Sequence, residues 1–274
     1  MNGYLIFIIV ILLVIFTSWL IWSNLVIEQT DFIINNEFLP SAFDGFKIAH
    51  ISDLHNAEFG ESNVRLINKL REANPNIIAI TGDSIDSRHT DMGVTINFFE
   101  QAMKIAQCYY VVGNHESRFS KLEYEEFESK IKELGVIVLH NEAAIIEKNG
   151  EKIVIFGIDD PNFNVDFAEN LEKGAQMSEF TVLLSHRPEY FEDYVKNGYD
   201  LVLSGHAHGG QFRIPFIGGV FAPKQGLFPK YDSGKYTENN TTMIVSRGLG
   251  NSSFPIRFNN SPELIIIELS KEVK

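Results

Sequence analysis

One cysteine, Cys108, stands in the whole 274-residue chain, so no internal disulfide can form. It lies in the apolar run Cys108-Tyr109-Tyr110-Val111-Val112 and reads as a small buried apolar residue. Basic residues are also scarce: 23 Lys and Arg face 36 Asp and Glu, for a formal net charge of -13, and no basic run occurs. That balance argues against general affinity for nucleic-acid phosphates, which relies on clustered Lys and Arg, so no nucleic-acid partner is expected and a nuclease lacks its basic groove. A small or lipid-linked phosphate ester is easier to accommodate. There is no internal repeat or low-complexity segment, and the 45% apolar composition is enough for one large domain with a substantial core.

Charge is missing most conspicuously at the N-terminus. No charged residue lies between Tyr4 and Ile27, and no Lys or Arg precedes Lys47. The stretch from Tyr4 to Phe16 is almost wholly aliphatic, long enough with its continuation to cross a bilayer as a helix, and Tyr4, Trp19 and Trp22 lie toward its ends, where amphipathic rings favour the headgroup zone. A cleaved signal peptide should carry a basic n-region and a small-residue cleavage site, neither of which is present. The expectation is an uncleaved single-pass anchor over 4–27, an extended segment or linker over 28–46, and a catalytic domain over 47–274. The flank after the helix carries Glu28, Asp31 and Glu37, and acidic residues count little in the positive-inside rule. The domain is expected on the extracytoplasmic side of the cell membrane.

From Lys47 onward, strand-like and helix-like runs alternate. Lys47–Ile51, Ile77–Thr81, Cys108–Val112, Ile153–Ile158, Thr181–Ser185 and Leu201–Ser204 are short apolar runs followed by polar, Gly or Pro residues, as core strands should be. Asn63–Ala73 sets Leu66, Ile67 and Leu70 on one helical face; Lys121–Leu134 does so with Leu122, Tyr124, Phe127, Ile131 and Leu134, behind a capping box of Ser120 and Glu123. Pro188 suits the first turn of another helix. Beyond Gln211 the chain is rich in Gly, Pro and Phe, then mostly β, with strands over Met243–Ser246 and Leu264–Leu269. Phe212, Phe216, Phe221 and Phe228 are expected to pack in the core of this β-rich part, a lipid-facing rim being the alternative.

Five polar motifs each follow a strand-like run: Ser52-Asp53-Leu54-His55, Gly82-Asp83-Ser84-Ile85-Asp86, Gly113-Asn114-His115-Glu116, Ser185-His186 and Gly205-His206-Ala207-His208-Gly209-Gly210. Any one of them has an ordinary explanation as a helix cap, a turn or a core histidine. Together they contain five of the eight histidines; His50, His89 and His140 read as structural or surface residues. In an open α/β sheet, ligands bind beyond the carboxyl ends of the strands, where all five motifs sit. Their carboxylates, imidazoles and amide suit two borderline divalent ions such as manganese, iron or zinc, and the lack of thiolates argues against a structural zinc site. Two cations so close need a bridging carboxylate and hydroxide to offset their repulsion, and Asp83 is the candidate bridge.

The five blocks, in order across Lys47–Gly210, resemble the calcineurin-like metallophosphoesterase superfamily pattern Asp-x-His, Gly-Asp, Gly-Asn-His-Asp/Glu, His and Gly-His-x-His. The resemblance implies a four-layer α/β/β/α sandwich, here preceded by one N-terminal transmembrane helix. It implies one metal site of Asp53, His55, Asp83 and His208 and a second of Asp83, Asn114, His186 and His206. His115 looks like the family's non-ligand histidine that protonates the leaving oxygen, and Asp86 its orienting partner. The implied reaction is hydrolysis of a phosphoester or pyrophosphate by in-line attack of a metal-bridging hydroxide. Gly205–Gln211, the Pro215 region, Ser246–Gly250, Ile256–Phe258 and Ser261–Leu264 are similar to a membrane-associated bacterial subgroup that includes UDP-2,3-diacylglucosamine pyrophosphatase-type enzymes. The chain departs from it in lacking a twin-arginine signal and in having Ala207 in place of the usual Thr. Arg187, Arg213, Arg247 and Arg257 are candidate phosphate contacts, Arg247 and Arg257 ahead of the others, with ordinary ion pairs the competing explanation. The alternative to an enzyme is a non-catalytic metal-binding envelope protein, and the retention of His115 with Asp86 argues against it.

Overall fold

A computed structural model of the chain describes residues 3–88, 91–163, 166–177, 179–251 and 254–272; His89 lies outside them. In chain order the principal elements are α1 (Gly3–Leu25), β1 (Glu28–Asn36), β2 (Phe46–Ile51), α2 (Val64–Ala73), β3 (Ile77–Thr81), α3 (Gly93–Ala102), β4 (Gln107–Val111), α4 (Lys121–Glu133) and β5 (Ile137–Val138). They continue with β6 (Glu142–Lys148), β7 (Glu151–Gly157), α5 (Phe167–Ala175), β8 (Phe180–Leu184), α6 (Phe191–Asn197) and β9 (Leu201–Ser204). Four two-residue strands follow, β10 (Arg213–Ile214), β11 (Gly218–Gly219), β12 (Phe221–Ala222) and β13 (Gly226–Leu227), then β14 (Gly234–Glu238), β15 (Thr241–Val245) and β16 (Glu263–Lys271).

Two six-stranded sheets result, in the orders β1-β16-β2-β3-β4-β5 and β14-β15-β9-β8-β7-β6. Strands β2 to β5 run parallel, as do β7, β8, β9 and β15. The strand period of two explains why their runs are apolar throughout rather than alternating. In β3, Ile77 and Ala79 face the other sheet while Ile78 and Ile80 face helices. In β7, Ile153 and Ile155 face the first sheet while Val154 and Phe156 face away from it. Leu66, Phe98, Phe99, Phe127 and Ile131 of α2, α3 and α4 cover the outside of the first sheet, and Leu171, Phe191 and Tyr194 of α5 and α6 cover the second. The architecture is the four-layer α/β/β/α sandwich, with α1 projecting from it as an uncharged 23-residue helix whose aliphatic side chains are exposed.

In the segment 28–46, read as extended or as a linker, residues 28–36 are the extended strand β1, which pairs in parallel with β16 over nine residues. Its polar sequence fits an edge strand with one solvated face. The Phe-rich segment does not pack in the core: Phe216, Phe221 and Phe228 are exposed, because β10 to β13 form two small hairpins with no second layer above them among the described residues. Leu122 lies on the solvent side of α4, whereas the Ser120–Glu123 capping box is formed as expected. Pro188 occupies the first position of a 3-10 turn that runs into α6.

His50 is buried, with Nε2 2.8 Å from the Thr81 hydroxyl. His140 joins two layers: Nδ1 lies 2.8 Å from Asp159 after β7 and Nε2 3.3 Å from Glu128 on α4. Hydrogen bonds to Asp159 and then Glu128 push its pKa up to about 9. The folded state therefore binds this proton more tightly than the unfolded chain, so the pair stabilises fully below the ordinary histidine value and fades as pH rises through about 9. The melting-temperature gap between wild type and His140→Gln is expected to be widest near pH 6 and to close by about pH 10. A gap of constant width across that range contradicts the ion-pair account.

Candidate metal centre

The parallel strands bring their carboxyl ends to one edge. Asp53 and His55 follow β2, Asp83 and Asp86 follow β3, Asn114 and His115 follow β4, His186 follows β8, and His206 and His208 follow β9. All nine are buried. The chain turns sharply at each of these loops: Asp53, His55, Asp83, His206 and His208 have φ between +47° and +63°, a region costly for residues with a Cβ, by on the order of 1–3 kcal/mol each. Backbone bonds between loops hold them there, with Asp53 N donating to Gly82 O at 3.1 Å, His55 N to Asp83 O at 2.9 Å and Gly250 N to Asp53 O at 2.7 Å. Gly205 and Gly113 admit the crowding, since a Cβ at Gly205 would stand 1.8 Å from Ser52 Oγ and one at Gly113 2.3 Å from Asp83 Oδ1.

Two clusters share one carboxylate: Asp53, His55, Asp83 and His208 form the first, and Asp83, His186 and His206 the second. His208 Nε2 is 3.3 Å from Asp53 Oδ1 and 3.3 Å from His55 Nε2, which is 3.6 Å from Asp83 Oδ2. His186 Nε2 is 3.3 Å from Asp83 Oδ2 and 3.2 Å from His206 Nδ1. Donor atoms held about 2.1 Å from one ion sit roughly 3 to 3.5 Å apart, so the spacing fits two divalent cations. Two further observations support the fit. Asn114 Oδ1 is buried without a hydrogen-bond partner, an arrangement that is costly unless a cation supplies one. His186 Nδ1–H donates to Thr81 O at 2.7 Å, which turns Nε2 toward Asp83 in the tautomer a metal ligand needs.

The electrostatics are those of a dry, anionic pocket. Burial raises the Asp83 carboxyl, but His186 and His55 outweigh it and hold Asp83 well below the usual carboxylate range. Burial lowers His55 and His206. It lowers His186 as well, yet Asp83 carries that imidazole up to about 10, so a positive charge is favoured where the second cluster converges.

His115 stands beside the clusters, its Nδ1 3.3 Å from Asp86 Oδ1, its Nε2 3.1 Å from Arg118 Nη1 and its ring 4.5 Å from that of His55. Asp86 is shared with Arg88, whose Nη2 donates to Oδ2 at 2.7 Å. The four arginines considered as phosphate contacts are all engaged. Arg187 is buried, pairs through Nε and Nη2 with Asp160 and brings Nη1 2.7 Å from His206 Nε2. Arg213 pairs with Asp232 at 2.9 Å. Arg247 pairs with Glu28 at 2.6 Å and Glu263 at 3.0 Å. Arg257 is buried, donating to Asn251 Oδ1, Arg247 O and Gly250 O, with Nη2 3.5 Å from His208 Nδ1.

Two residues outside the candidate ligands also build the site. Glu116 accepts from the backbone N–H of Asp83 (3.0 Å), Ser84 (2.8 Å) and Gly113 (3.0 Å) and from Tyr110 Oη (2.8 Å). It thus ties the β3 loop, which carries the shared carboxylate, to the β4 loop. Its place at the end of Gly-Asn-His-Glu was the available signal. Asn260 holds the His208 carbonyl at 2.7 Å, and no motif marks it.

The profile of the family described as calcineurin-like phosphoesterase matches residues 46–210, and the chain belongs to that family. An uncharacterized metallophosphoesterase of Bacillus subtilis, YkuE, is 31% identical over 252 residues, 89% of this chain and 85% of that protein. The phosphodiesterase YaeI of Escherichia coli is 28% identical, covering 82% of each. A zebrafish protein, named as a transmembrane protein with a metallophosphoesterase domain, is 27% identical over 86% of this chain and 55% of its own length. Among solved structures, a 5'-nucleotidase precursor from Thermus thermophilus superposes with a TM-score of 0.52 at 15% identity, over 81% of this chain and 54% of that one, which speaks to the fold alone. The chain is a metallophosphoesterase with a buried His and Asp cluster of the kind its family uses for two divalent metals.

Glu116→Gln replaces an acceptor of several N–H groups by an amide that must turn a donor toward some of them. A 10- to 100-fold loss of metal affinity, roughly, is expected by calorimetric titration. Wild-type affinity in that variant contradicts the positioning role.

Proposed function

We propose that the chain is a membrane-anchored phosphohydrolase dependent on two divalent ions, cleaving a phosphoester or pyrophosphate bond of a lipid-linked or other envelope substrate. Asp53, His55, Asp83 and His208 hold one ion, and Asp83, Asn114, His186 and His206 the other. The observation that best supports this is the single Asp83 carboxylate common to two ligand-spaced clusters. Manganese, iron or zinc bound there supplies Lewis acidity toward the phosphoryl oxygens and lowers the pKa of a coordinated water.

The protein's own groups do the rest. Asp86, 3.3 Å from Nδ1, orients the His115 ring. The ring's Nε2, which faces the Arg118 guanidinium at 3.1 Å in the free protein, passes a proton to the leaving oxygen once Arg118 turns to the substrate. Exposed Arg118, beside that Nε2, binds anionic ester oxygens. The surrounding loops exclude bulk water, which strengthens each charge interaction.

Support for a retained anchor comes from the base of α1. Asn24 Nδ2 donates to Arg257 O at 2.9 Å, Arg257 N donates to Asn24 Oδ1 at 2.7 Å, and Arg65 Nη1 donates to Leu25 O at 3.1 Å. A cleavable signal segment has no need of such contacts with the mature domain. Lys47 is the first basic residue after the helix, and that Lys- and Arg-poor flank favours an extracytoplasmic domain.

The test is a screen of the metal-reconstituted full-length protein against soluble monoesters, diesters, pyrophosphates and phospholipid head groups. His115→Ala is expected to lower kcat by about 10²- to 10⁴-fold with unchanged metal content. Undiminished turnover by that variant, or a metal-loaded wild type inert toward every ester, overturns the reading.

A further inference from the structure

The two hairpins that failed to enter the core carry large exposed apolar side chains. Phe216 is fully exposed at a hairpin tip, with φ of +66°, and Ile217, Phe221, Leu227, Phe228 and nearby Ile256 are each 45% exposed or more. A soluble face rarely tolerates such a contiguous apolar set unless something covers it. The charge pattern narrows what that is. Residues 212–231 contain Arg213, Lys224 and Lys230; Asp232 pairs with Arg213 at 2.9 Å and Glu192 with Lys230 at 3.1 Å, so the face is close to electrically neutral in a chain whose net charge is -13.

A chain of contacts joins this face to α1 on one side and to the metal centre on the other. Phe258 packs on Trp19 and Phe16, with ring centroids 5.5 and 6.3 Å apart. Its carbonyl accepts from Arg213 N at 3.0 Å, while Val220 N donates to Phe212 O at 2.8 Å and Phe228 N to Val220 O at 2.9 Å. The same loop begins directly after His208, Gly209 and Gly210. Depth along the helix then matters. With a rise of 1.5 Å per residue, Trp19 lies about 9 Å and Phe16 about 13 Å inside the end of α1. The 23 residues of α1 extend for about 34 Å, against roughly 30 Å of hydrocarbon, so a spanning α1 puts Trp19 at or below the headgroup level. Phe258 and the loop around it must share that depth.

We propose that the hairpins over 212–228, together with the loop 254–258, form a second membrane contact that beds the catalytic domain into the bilayer surface, so that esters presented at that surface reach the metal centre without leaving it. This rests on α1 being a membrane span, as argued above. The aromatic tips enter the interface with Lys224 at the head groups, while α1 supplies the permanent attachment.

The lone native thiol makes the test clean, since Cys108 is buried and burial pushes its pKa up to about 12. Full-length Phe216→Cys, labelled with an environment-sensitive fluorophore and reconstituted in phosphatidylcholine–phosphatidylglycerol vesicles, is compared with Leu122→Cys on α4. Nitroxide-bearing lipids are expected to quench the label at 216 several-fold more than that at 122. Equal quenching overturns the proposal, and so does a shielded label at 216 that lipid nitroxides do not quench, which indicates a second copy of the chain. Phe228→Cys repeats the measurement should the first variant misfold. In parallel, Phe216→Ser with Phe228→Ser is expected to lower hydrolysis of a vesicle-borne ester about tenfold while leaving a water-soluble ester unaffected; parallel loss or no loss on either substrate contradicts the proposal. Quenching is read independently of turnover, so an inert enzyme with a quenched label defeats the proposed activity and not the membrane contact.

Discussion

A carboxylate with almost no access to water sets the terms for this molecule. Asp83 accepts a hydrogen bond from His115 N at 2.7 Å and faces the imidazoles of His55 and His186, while its own backbone N–H is held by Glu116. Burying a charge is expensive unless opposite charge and hydrogen bonds surround it. The loops that end β2, β3, β4, β8 and β9 supply that surrounding. Their left-handed backbone at five site residues is strain the two sheets must hold in place, and the close-packed interface between Ile77, Ile155, Val182 and Leu203 provides the rigidity. The sandwich can thus be understood as a clamp whose two jaws close on one anionic group.

The same logic links the helix to the site. Asn24 at the foot of α1 exchanges hydrogen bonds with the Arg257 backbone, and the Arg257 guanidinium reaches Gly250 O and lies 3.5 Å from His208 Nδ1. Arg247 clasps Glu28, where β1 begins, and Glu263, where β16 begins. Arg247 and Arg257 therefore join helix, sheet edge and the loop that carries His208. A guanidinium is suited to this because its planar fork can serve several carbonyls at once.

What was legible in the sequence follows from what each pattern depends on. Central strands such as β3, β7 and β9 are buried on both faces, so their apolar runs are continuous and easily seen. Edge strands β1, β6 and β14 bury little and look like polar linkers. Helix α3 was missed because no side chain caps its start at Met92 and its buried face carries Thr95 among the phenylalanines. The candidate ligands were legible because their types recur at strand ends, each motif being local. The backbone bonds that Glu116 and Asn260 make were not, since they reach other loops, although the motif Gly113–Glu116 includes Glu116. The Phe-rich hairpins were misread for a related reason: composition shows that a segment is apolar, not whether another layer lies above it.

The central claim is that one carboxylate serves two metal sites, and metal stoichiometry tests it most directly. Elemental analysis of purified, metal-saturated protein should find two ions per chain in the wild type, one in His208→Ala and close to none in Asp83→Asn. One ion per chain in the wild type, or an Asp83→Asn variant that keeps both, contradicts the account.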